Sequence, residues 1–484
     1  MAIAARELIV RVLAGPGSLA VAGVVVNGGN LLVNLVLARV LNATNYGALV
    51  VQTGIFLILS MGGSALQVAV VQRDTAFPGD TRHARGFWIR RLRGVCTVVV
   101  VVTCVVGLVV CGPAAALLSY PHPFAIAEAI AGAAIWVSLS VERGLLQARR
   151  AYRELAYNFV LEGAGRIVVI IGLAFAGFGV NGAGLGLIVG VLCGTAHARR
   201  RTARTTRGKT TRGSATRGSA TRGSATRGMT PPGLSDTRPM PTLWYDTTAA
   251  LGALVPLAML QNMDVVIVGW LNPTEVGAYA AVSTACKVPV FIGLAVANFL
   301  LPEAAQRRAQ DRPATTALLA AVAWVAAPGL LLVGTGVVAA RPVLSVVFGP
   351  HLAAGASTLW ILALAMTCLA VTLLFTNYLL GAGRRDVVGV LAAGTVLTAA
   401  GLAAAGGHLV ATATVGLVCQ AVTAAMAGLM VVRAHRPAAR DLRIPVAGRQ
   451  PARLGGHEPG AGSEPPAQRA PRSAALSGGS VRER

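Results

Sequence analysis

Eight ionisable side chains lie inside or at the edge of long apolar stretches, and two pairs of them have spacings that suggest binding chemistry. These residues are Arg39, Glu128, Glu142, Arg143, Glu162, Arg166, Asp264 and Lys287. A charge at the centre of a membrane helix costs about 2.5–3.5 kcal/mol on insertion scales, so charges that persist there usually face a bundle interior or a water-filled cavity. These eight residues are therefore the candidates for a functional site.

The first pair is Glu162 and Arg166, which lie four residues apart and so share one helix face. A guanidinium keeps its charge and matches phosphate oxygens with two parallel hydrogen bonds, so Arg166 is a candidate to bind a diphosphate. We include both Glu162 and Arg166 among the predicted substrate contacts in the cavity. Buried charges also pair simply to neutralise each other. A static structural pair is therefore the alternative interpretation.

The second pair is Asp264 and Lys287, which lie on either side of a turn near residue 272 at similar membrane depths. We interpret Lys287 as a phosphate contact and Asp264 as a site whose protonation or cation binding couples transport to an ion gradient. A fixed salt bridge between two helices would explain the same spacing.

A polar stripe adds uncharged groups, because Asn27, Asn30 and Asn34 follow one another at intervals of three and four residues. Amides at such positions suit sugar hydroxyls, and we include Asn30 and Asn34 among the predicted substrate contacts. Hydrogen bonding between membrane helices is an equally good explanation of the stripe.

These residues sit in apolar segments that are long enough to cross a bilayer. The chain is 55% hydrophobic and 12% charged over 484 residues, and about 20 apolar residues span a hydrocarbon core as a helix. We predict an all-α membrane protein with about twelve transmembrane helices. Their ranges are 18–41, 48–72, 94–117, 123–141, 157–179, 181–198, 248–271, 275–300, 314–340, 354–380, 386–405 and 408–432.

The basic residues indicate the topology. The chain has 42 Lys and Arg residues and a net charge of +24, and most of these cations fall in every second loop, whereas the intervening loops carry almost none. Because basic loops stay on the cytoplasmic side, both termini are predicted to be cytoplasmic. This alternation agrees with an even number of spans.

A basic, repetitive segment divides the chain. TRG recurs every five residues from 206 to 228 within TRGSA repeats, and such a composition predicts a disordered linker. We therefore predict four parts: an N-terminal six-helix bundle over 1–198, a cytoplasmic linker over 199–247, a C-terminal six-helix bundle over 248–432, and a disordered cytoplasmic tail over 433–484.

The two halves are related copies. LNATNYGA at 41–48 matches LNPTEVGA at 271–278 in five of eight positions, at an offset of 230 residues. Both segments join the first helix of a half to its second. Parallel repeats of this kind are one of the common plans of transporters, with the substrate site between the halves near the bilayer midplane.

Short motifs resemble one transporter family. Residues 37–41 with Tyr46-Gly47 are similar to the first-helix signature of the polysaccharide-biosynthesis branch of the multidrug/oligosaccharidyl-lipid/polysaccharide (MOP) flippase superfamily, and residues 264–269, 277–280 and 302–303 resemble its seventh and eighth helices. The resemblance extends over about 15–432. It implies two six-helix bundles around a cavity that opens alternately to each side and carries a polyprenyl-diphosphate-linked oligosaccharide outward across the cytoplasmic membrane.

We therefore expect a transporter without a cofactor, coupled to a proton or sodium gradient. Its expected partners are a lipid-linked oligosaccharide, membrane lipids and polysaccharide-assembly proteins, and no nucleic acid. A multidrug or cation antiporter and a peptidoglycan-precursor flippase of the same superfamily remain alternatives. A membrane-embedded polymerase or ligase is disfavoured, because His122, Arg341 and His351 in the outer loops are too scattered to form a catalytic site. No GxxxxGK phosphate-binding motif occurs in the sequence.

Overall fold

The computed structural model describes residues 17–76, 82–215, 243–297 and 315–435, and these residues are almost entirely helical. The first half contains α1 Gly17–Val40, α2 Ala43–Ala76, α3 Arg82–Leu117, α4 Pro123–Ala148, α5 Tyr152–Phe175 and α6 Gly179–Ala215. The second half contains α7 Leu243–Leu271, α8 Val276–Cys286, α9 Thr315–Val338, α10 Ala340–Val347, a 3₁₀ helix Pro350–Thr358, α11 Leu359–Gly381, α12 Val387–Ala404 and α13 Leu409–His435.

Twelve helical segments are long and apolar enough to cross a membrane, and this confirms the predicted number of spans. Several helices continue beyond their apolar runs, most clearly α3, which begins at Arg82 and not near residue 94. Arg85 at this end pairs with Asp74 of α2, and Arg93 pairs with Glu142 of α4 at 2.6 Å. These ion pairs stabilise the first turns of α3. Because those turns are basic, the apolar pattern of the sequence does not indicate them.

The same helix pairs occur in both halves, as the internal repeat predicts. In the first half α1 packs on α5, α3 and α6 pack on α4, and α5 packs on α6. In the second half α7 packs on α12, α9 and α13 pack on α11, and α12 packs on α13. The two six-helix bundles are therefore built to one plan.

The halves meet mainly where α2 crosses α7 and α8. Gly47 and Gly277, which are equivalent positions of the repeat, lie in backbone contact, and a β-carbon added to Gly47 would come within 2.8 Å of the Gly277 nitrogen. Nearby, the Tyr46 hydroxyl lies 3.5 Å from the Thr284 hydroxyl. These contacts close the bundle at the end where α1 ends and α2 begins, which we call the closed end.

Two short helices follow α9 at the closed end and were not predicted. The eight-residue α10 has one apolar and one polar side, as expected of a helix that lies along a membrane surface rather than across it. The Arg39 guanidinium of α1 donates to the carbonyl of Val346 in α10. Arg39 thus links the halves at their rim.

The sixth helix runs past residue 198, where we placed the start of the linker, and continues to Ala215. Packing holds the first turn beyond residue 198, since Thr202 is 1% exposed and its hydroxyl donates to Glu142 at 2.7 Å. Residues 216–242 of the predicted linker and the tail beyond 435 lie outside the described residues. The division into domains and the cytoplasmic side of the termini stay predictions.

Candidate functional site

A cavity of about 460 Å³ lies between the two halves. Its walls come from α1, α2, α4, α5 and α6 of the first half and from α7, α8 and α11 of the second. The polar residues that line it are Asn27, Asn30, Asn34, Gln52, Thr53, Glu128, Arg166, Gln261, Asn262, Thr284, Lys287 and Asn377. The cavity also reaches Met61 and Ala297, so it extends from the closed end toward the opposite, predicted cytoplasmic end.

Arg166 projects from α5 into the first-half wall of this cavity. Gly190 allows α6 to approach closely there, since a β-carbon at Gly190 would lie 2.6 Å from the Arg166 β-carbon. One terminal nitrogen of Arg166 donates to the Asn30 side-chain oxygen at 2.9 Å, and the other lies 3.2 Å from the Glu162 carboxylate. The predicted contacts Asn30 and Arg166 therefore form one polar surface.

Glu162 lies behind Arg166 and does not line the cavity itself. It is 1% exposed, and its second oxygen lies 3.5 Å from a terminal nitrogen of Arg143. Arg143 is also buried, donates to the Asn158 side-chain oxygen at 2.7 Å, and stacks its guanidinium 4.0 Å from the Phe159 ring centroid. Two arginines thus share one carboxylate.

This sharing leaves the charges around Glu162 unequal. Among the described residues, Glu162 is the only acid within 4.0 Å of either Arg143 or Arg166. The three side chains therefore carry a net positive charge, and Arg166 is the member that reaches the cavity. A self-neutralising pair would have left this wall uncharged, so the arrangement suits an anion.

Lys287 contributes the second cation, from the opposite half. It is the residue at which α8 ends, and a separate helical segment continues over 288–297. The ammonium donates to the Asn262 side-chain oxygen at 3.0 Å, and both residues line the cavity. Among the described residues no ion pair joins Lys287 to Asp264, so the salt bridge that we considered for this pair is not formed.

Asp264 is buried behind the second-half wall rather than within the cavity lining. Its Oδ2 accepts hydrogen bonds from the Ser283 hydroxyl at 3.2 Å and the Tyr279 hydroxyl at 3.3 Å. Its Oδ1 receives no hydrogen bond from another described side chain. A carboxylate with one free oxygen and two neighbouring hydroxyls can hold a proton or a small cation.

The asparagine stripe faces the cavity, as its spacing predicted. Asn27, Asn30 and Asn34 all line the wall. Asn34 donates its amide to the Asn30 backbone carbonyl at 2.8 Å, and Asn30 accepts from Arg166. Some of the hydrogen-bonding groups of these amides therefore hold Arg166 in place, and the others are available to a ligand.

Comparison with solved structures shows which fold this is. The chain superimposes on the lipid II flippase MurJ in an inward closed conformation with a TM-score of 0.59 and 10% identity, covering 86% of this chain and 87% of that one. An inward-facing multidrug resistance MATE transporter of the MOP superfamily gives 0.56 and 14%, with 87% and 100% covered. A MOP superfamily transporter from Pyrococcus furiosus gives 0.55 and 15%, with 88% and 98% covered.

The fold is that of the MOP superfamily transporters. No family profile matches the chain, and no curated protein matches its sequence. The chain therefore has the fold that the resemblance implies, whereas membership of the superfamily and of its polysaccharide branch stays a prediction. At 10–15% identity these likenesses establish the architecture and not the substrate.

Two of the ionisable side chains, Arg143 and Glu128, have partners that the sequence did not predict. The Glu128 carboxylate lines the cavity and accepts a hydrogen bond from the Gln52 amide at 3.0 Å. Each of the two residues is a charge within an apolar span, which marks it as unusual in the sequence. Their partners could not be predicted, because they lie on other helices at no characteristic spacing along the chain.

Proposed function

We propose that this protein is a flippase that moves a polyprenyl-diphosphate-linked oligosaccharide, or a related polysaccharide precursor, across the cytoplasmic membrane. The observation that carries the proposal is the placement of two cations, Arg166 and Lys287, on the walls of one cavity and on opposite halves of the repeat. A diphosphate has two anionic groups and can be contacted from both walls. The surplus positive charge of the group formed by Arg143, Glu162 and Arg166 favours such a ligand.

The mechanism follows from the way in which the halves are joined. The closed end is sealed by small residues in backbone contact at Gly47 and Gly277, a surface across which two rigid bundles can separate and close again. In the conformation described, the cavity extends away from this seal. A diphosphate bound by both Arg166 and Lys287 draws the walls together, which favours closure of the cavity behind the ligand and opening at the other end.

The amides of Asn30 and Asn34 complete the proposed substrate contacts, because they lie beside Arg166 and offer both donors and acceptors to sugar hydroxyls. The apolar lining, including Leu257 and Phe291, accommodates the first part of the lipid chain. The remaining lipid stays in the bilayer, which therefore has to border the cavity. The basic loops lie on the cytoplasmic side in this proposal.

Asp264 is the proposed site of coupling to an ion gradient. It has an unused oxygen and two hydroxyl neighbours, and its neighbour Tyr279 is on α8, the helix that carries Lys287. Protonation of Asp264, or a sodium ion bound to it, changes the charge beside the α7–α8 contact. That change can bias the position of Lys287 between the two access states.

Two other transporters are compatible with the fold. A cation or drug antiporter is supported by the likeness to the MATE transporter, and a peptidoglycan-precursor flippase by the likeness to MurJ. The cavity has two basic residues and one acidic residue in its described lining, which favours an anionic lipid over a cationic drug. The choice between an oligosaccharide and a peptidoglycan precursor concerns only the group beyond the diphosphate.

The test is binding by the full chain in detergent, with an unglycosylated polyprenyl diphosphate and ethidium as probes. We expect the diphosphate to bind, and we expect Arg166→Gln or Lys287→Gln to weaken binding about tenfold or more, as expected for one charged hydrogen bond. Arg384→Gln is the matched control, since Arg384 pairs on the surface with Asp386 at 2.9 Å. Binding of ethidium without binding of the diphosphate would instead establish the drug antiporter.

A further inference from the structure

The cavity lining includes a carboxylate that the proposed diphosphate site does not use. Glu128 is the only acidic side chain in the described cavity lining. Gln52, which is 3% exposed, donates one amide nitrogen both to Glu128 Oε2 at 3.0 Å and to the Ala125 carbonyl at 3.1 Å. The carboxylate is therefore held in one orientation by a side chain that is itself fixed.

The side chains of Glu128 and Gln52 pack closely against α6. A β-carbon at Gly184 of α6 would lie 2.1 Å from Glu128 Oε2 and 2.3 Å from the Gln52 side-chain nitrogen. Any residue larger than glycine would displace both groups. Close packing thus keeps the pair rigid, which is what a site that recognises a ligand by hydrogen bonds requires.

The position of Glu128 relative to Arg166 can be measured along α6. Gly184 lies beside Glu128 and Gly190 beside Arg166, and six residues of an α-helix rise about 9 Å. Glu128 is on the side of the closed end, since it follows the α3–α4 loop, where the Tyr120 hydroxyl donates to the Ala48 carbonyl at 2.7 Å. The acid–amide level thus lies about 9 Å closer to the closed end than the base of the Arg166 side chain.

A lipid-linked sugar has the same order of groups. The lipid is followed by the diphosphate and then by the first sugar, so a substrate whose diphosphate lies at Arg166 extends its sugar toward the closed end. Carboxylate and amide oxygens accept hydrogen bonds from sugar hydroxyls.

We infer that Glu128, held by Gln52, is the subsite for the sugar attached to the diphosphate, where its carboxylate accepts hydrogen bonds from sugar hydroxyl or amide groups. This inference rests on the proposed flippase function and adds the residue that recognises the sugar. It makes Glu128 a determinant of specificity, while Arg166 and Lys287 bind every polyprenyl diphosphate alike.

The experiment compares the affinity of the full chain for an unglycosylated polyprenyl diphosphate with its affinity for the same lipid carrying one glucose, galactose, N-acetylglucosamine or N-acetylgalactosamine. In the wild type at least one sugar is expected to tighten binding about tenfold. Glu128→Gln and Glu128→Asp are expected to remove most of that gain and to leave binding of the unglycosylated lipid unchanged or tighter. Glu154→Gln is the matched control, because Glu154 pairs with Arg201 at 3.1 Å outside the cavity.

The outcomes separate the two proposals. Failure of the wild type to bind any of the diphosphates overturns the flippase function. Binding of the unglycosylated lipid with no gain from any sugar, or a gain that both Glu128 variants keep, overturns the sugar subsite alone. Weaker binding of the unglycosylated lipid by both Glu128 variants, in protein that is folded as judged by a wild-type thermal unfolding temperature, also overturns the sugar subsite, because Glu128 would then act on the diphosphate.

Discussion

Gly47 of the first half and Gly277 of the second lie in backbone contact at the closed end, although 230 residues separate them in the chain. A β-carbon on Gly277 would lie 2.1 Å from the Ala43 carbonyl oxygen, and one on Gly47 would lie 2.4 Å from the Val276 side chain. The two copies of the repeated segment thus touch each other across the junction of the halves. The seal of the closed end depends on the smallest residue at both positions.

The first prediction is that Gly277→Ala opens this seal. The added methyl group meets backbone atoms, which cannot move aside without separating α2 from α8, so the conformation open at the opposite end becomes less populated. In a variant without native cysteines that carries Thr53→Cys, we expect faster labelling by a membrane-impermeant thiol reagent applied at the predicted outer side. The control is Gly416→Ala, since no atom lies within 4 Å of its added β-carbon. An unchanged labelling rate in Gly277→Ala would disprove the seal.

The second prediction concerns the carboxylate that two arginines share. Glu162→Gln leaves Arg143 and Arg166 facing each other without an acid, and loss of a buried charge partner destabilises a protein by about 3–5 kcal/mol. We expect a clearly lower thermal unfolding temperature, which is partly restored by adding Arg143→Leu. Glu154→Gln, at a partly exposed pair, should change stability by less than about 1 kcal/mol. Equal unfolding temperatures for Glu162→Gln and the wild type would show that the shared pair is not formed.

The third prediction is that Arg143 acts on the ligand without touching it. Arg143→Leu leaves Glu162 to neutralise Arg166 alone, so the cavity wall loses its surplus positive charge. We expect weaker binding of polyprenyl diphosphate at low salt, and recovery in Arg143→Lys, which keeps the charge. If Arg143→Leu and the wild type bound the diphosphate equally, the charge count that supports the anionic substrate would be wrong.

The fourth prediction addresses ion coupling. Asp264→Asn keeps an oxygen that can accept from Ser283 and Tyr279 but removes the charge that binds a proton or cation. Flipping by this variant in proteoliposomes is expected to continue at a rate that no longer responds to an imposed proton or sodium gradient. A response as large as that of the wild type would place the coupling site elsewhere.

The fifth prediction is a pH effect at the closed end. Partial burial lowers the pKa of His122, whose ring lies 3.0 Å from the Asn45 side-chain oxygen. A lowered pKa means that the folded protein favours the neutral ring. The stabilisation is therefore complete above the unfolded pKa of about 6.5 and is lost as the pH falls below it. His122→Gln is expected to remove this part of the pH dependence of the unfolding temperature, and an identical dependence in the variant would refute the assignment.

Much of the fold could be predicted because its causes are local in the sequence. Long apolar runs gave the number of spans, and the similarity of 41–48 to 271–278 gave two related halves. The asparagine stripe faces the cavity because helical spacing alone determines its side of α1. Arg166 and Lys287 could be predicted to line a cavity because charges within apolar spans are rare.

The remaining features of the site depend on contacts between helices, and the spacing of residues along the chain does not indicate such contacts. The pairing of Arg143 with Glu162 requires α4 to face α5 in one register, and the fixing of Glu128 by Gln52 requires α2, α4 and α6 to meet at Gly184. The same limit applied to Asp264 and Lys287, whose similar depths suggested a salt bridge. Each has neutral partners instead, because Asn262 on one helix and Ser283 and Tyr279 on the other are closer.

The most direct test of the central claim is the rate at which proteoliposomes flip a fluorescent polyprenyl-diphosphate-linked sugar, compared between the wild type and the double variant Arg166→Gln/Lys287→Gln. If the cations of the two halves hold the diphosphate together, the double variant flips at the rate of protein-free vesicles, while Arg384→Gln flips at the wild-type rate. Flipping by the double variant at the wild-type rate, with equal protein in the membrane, would contradict the account.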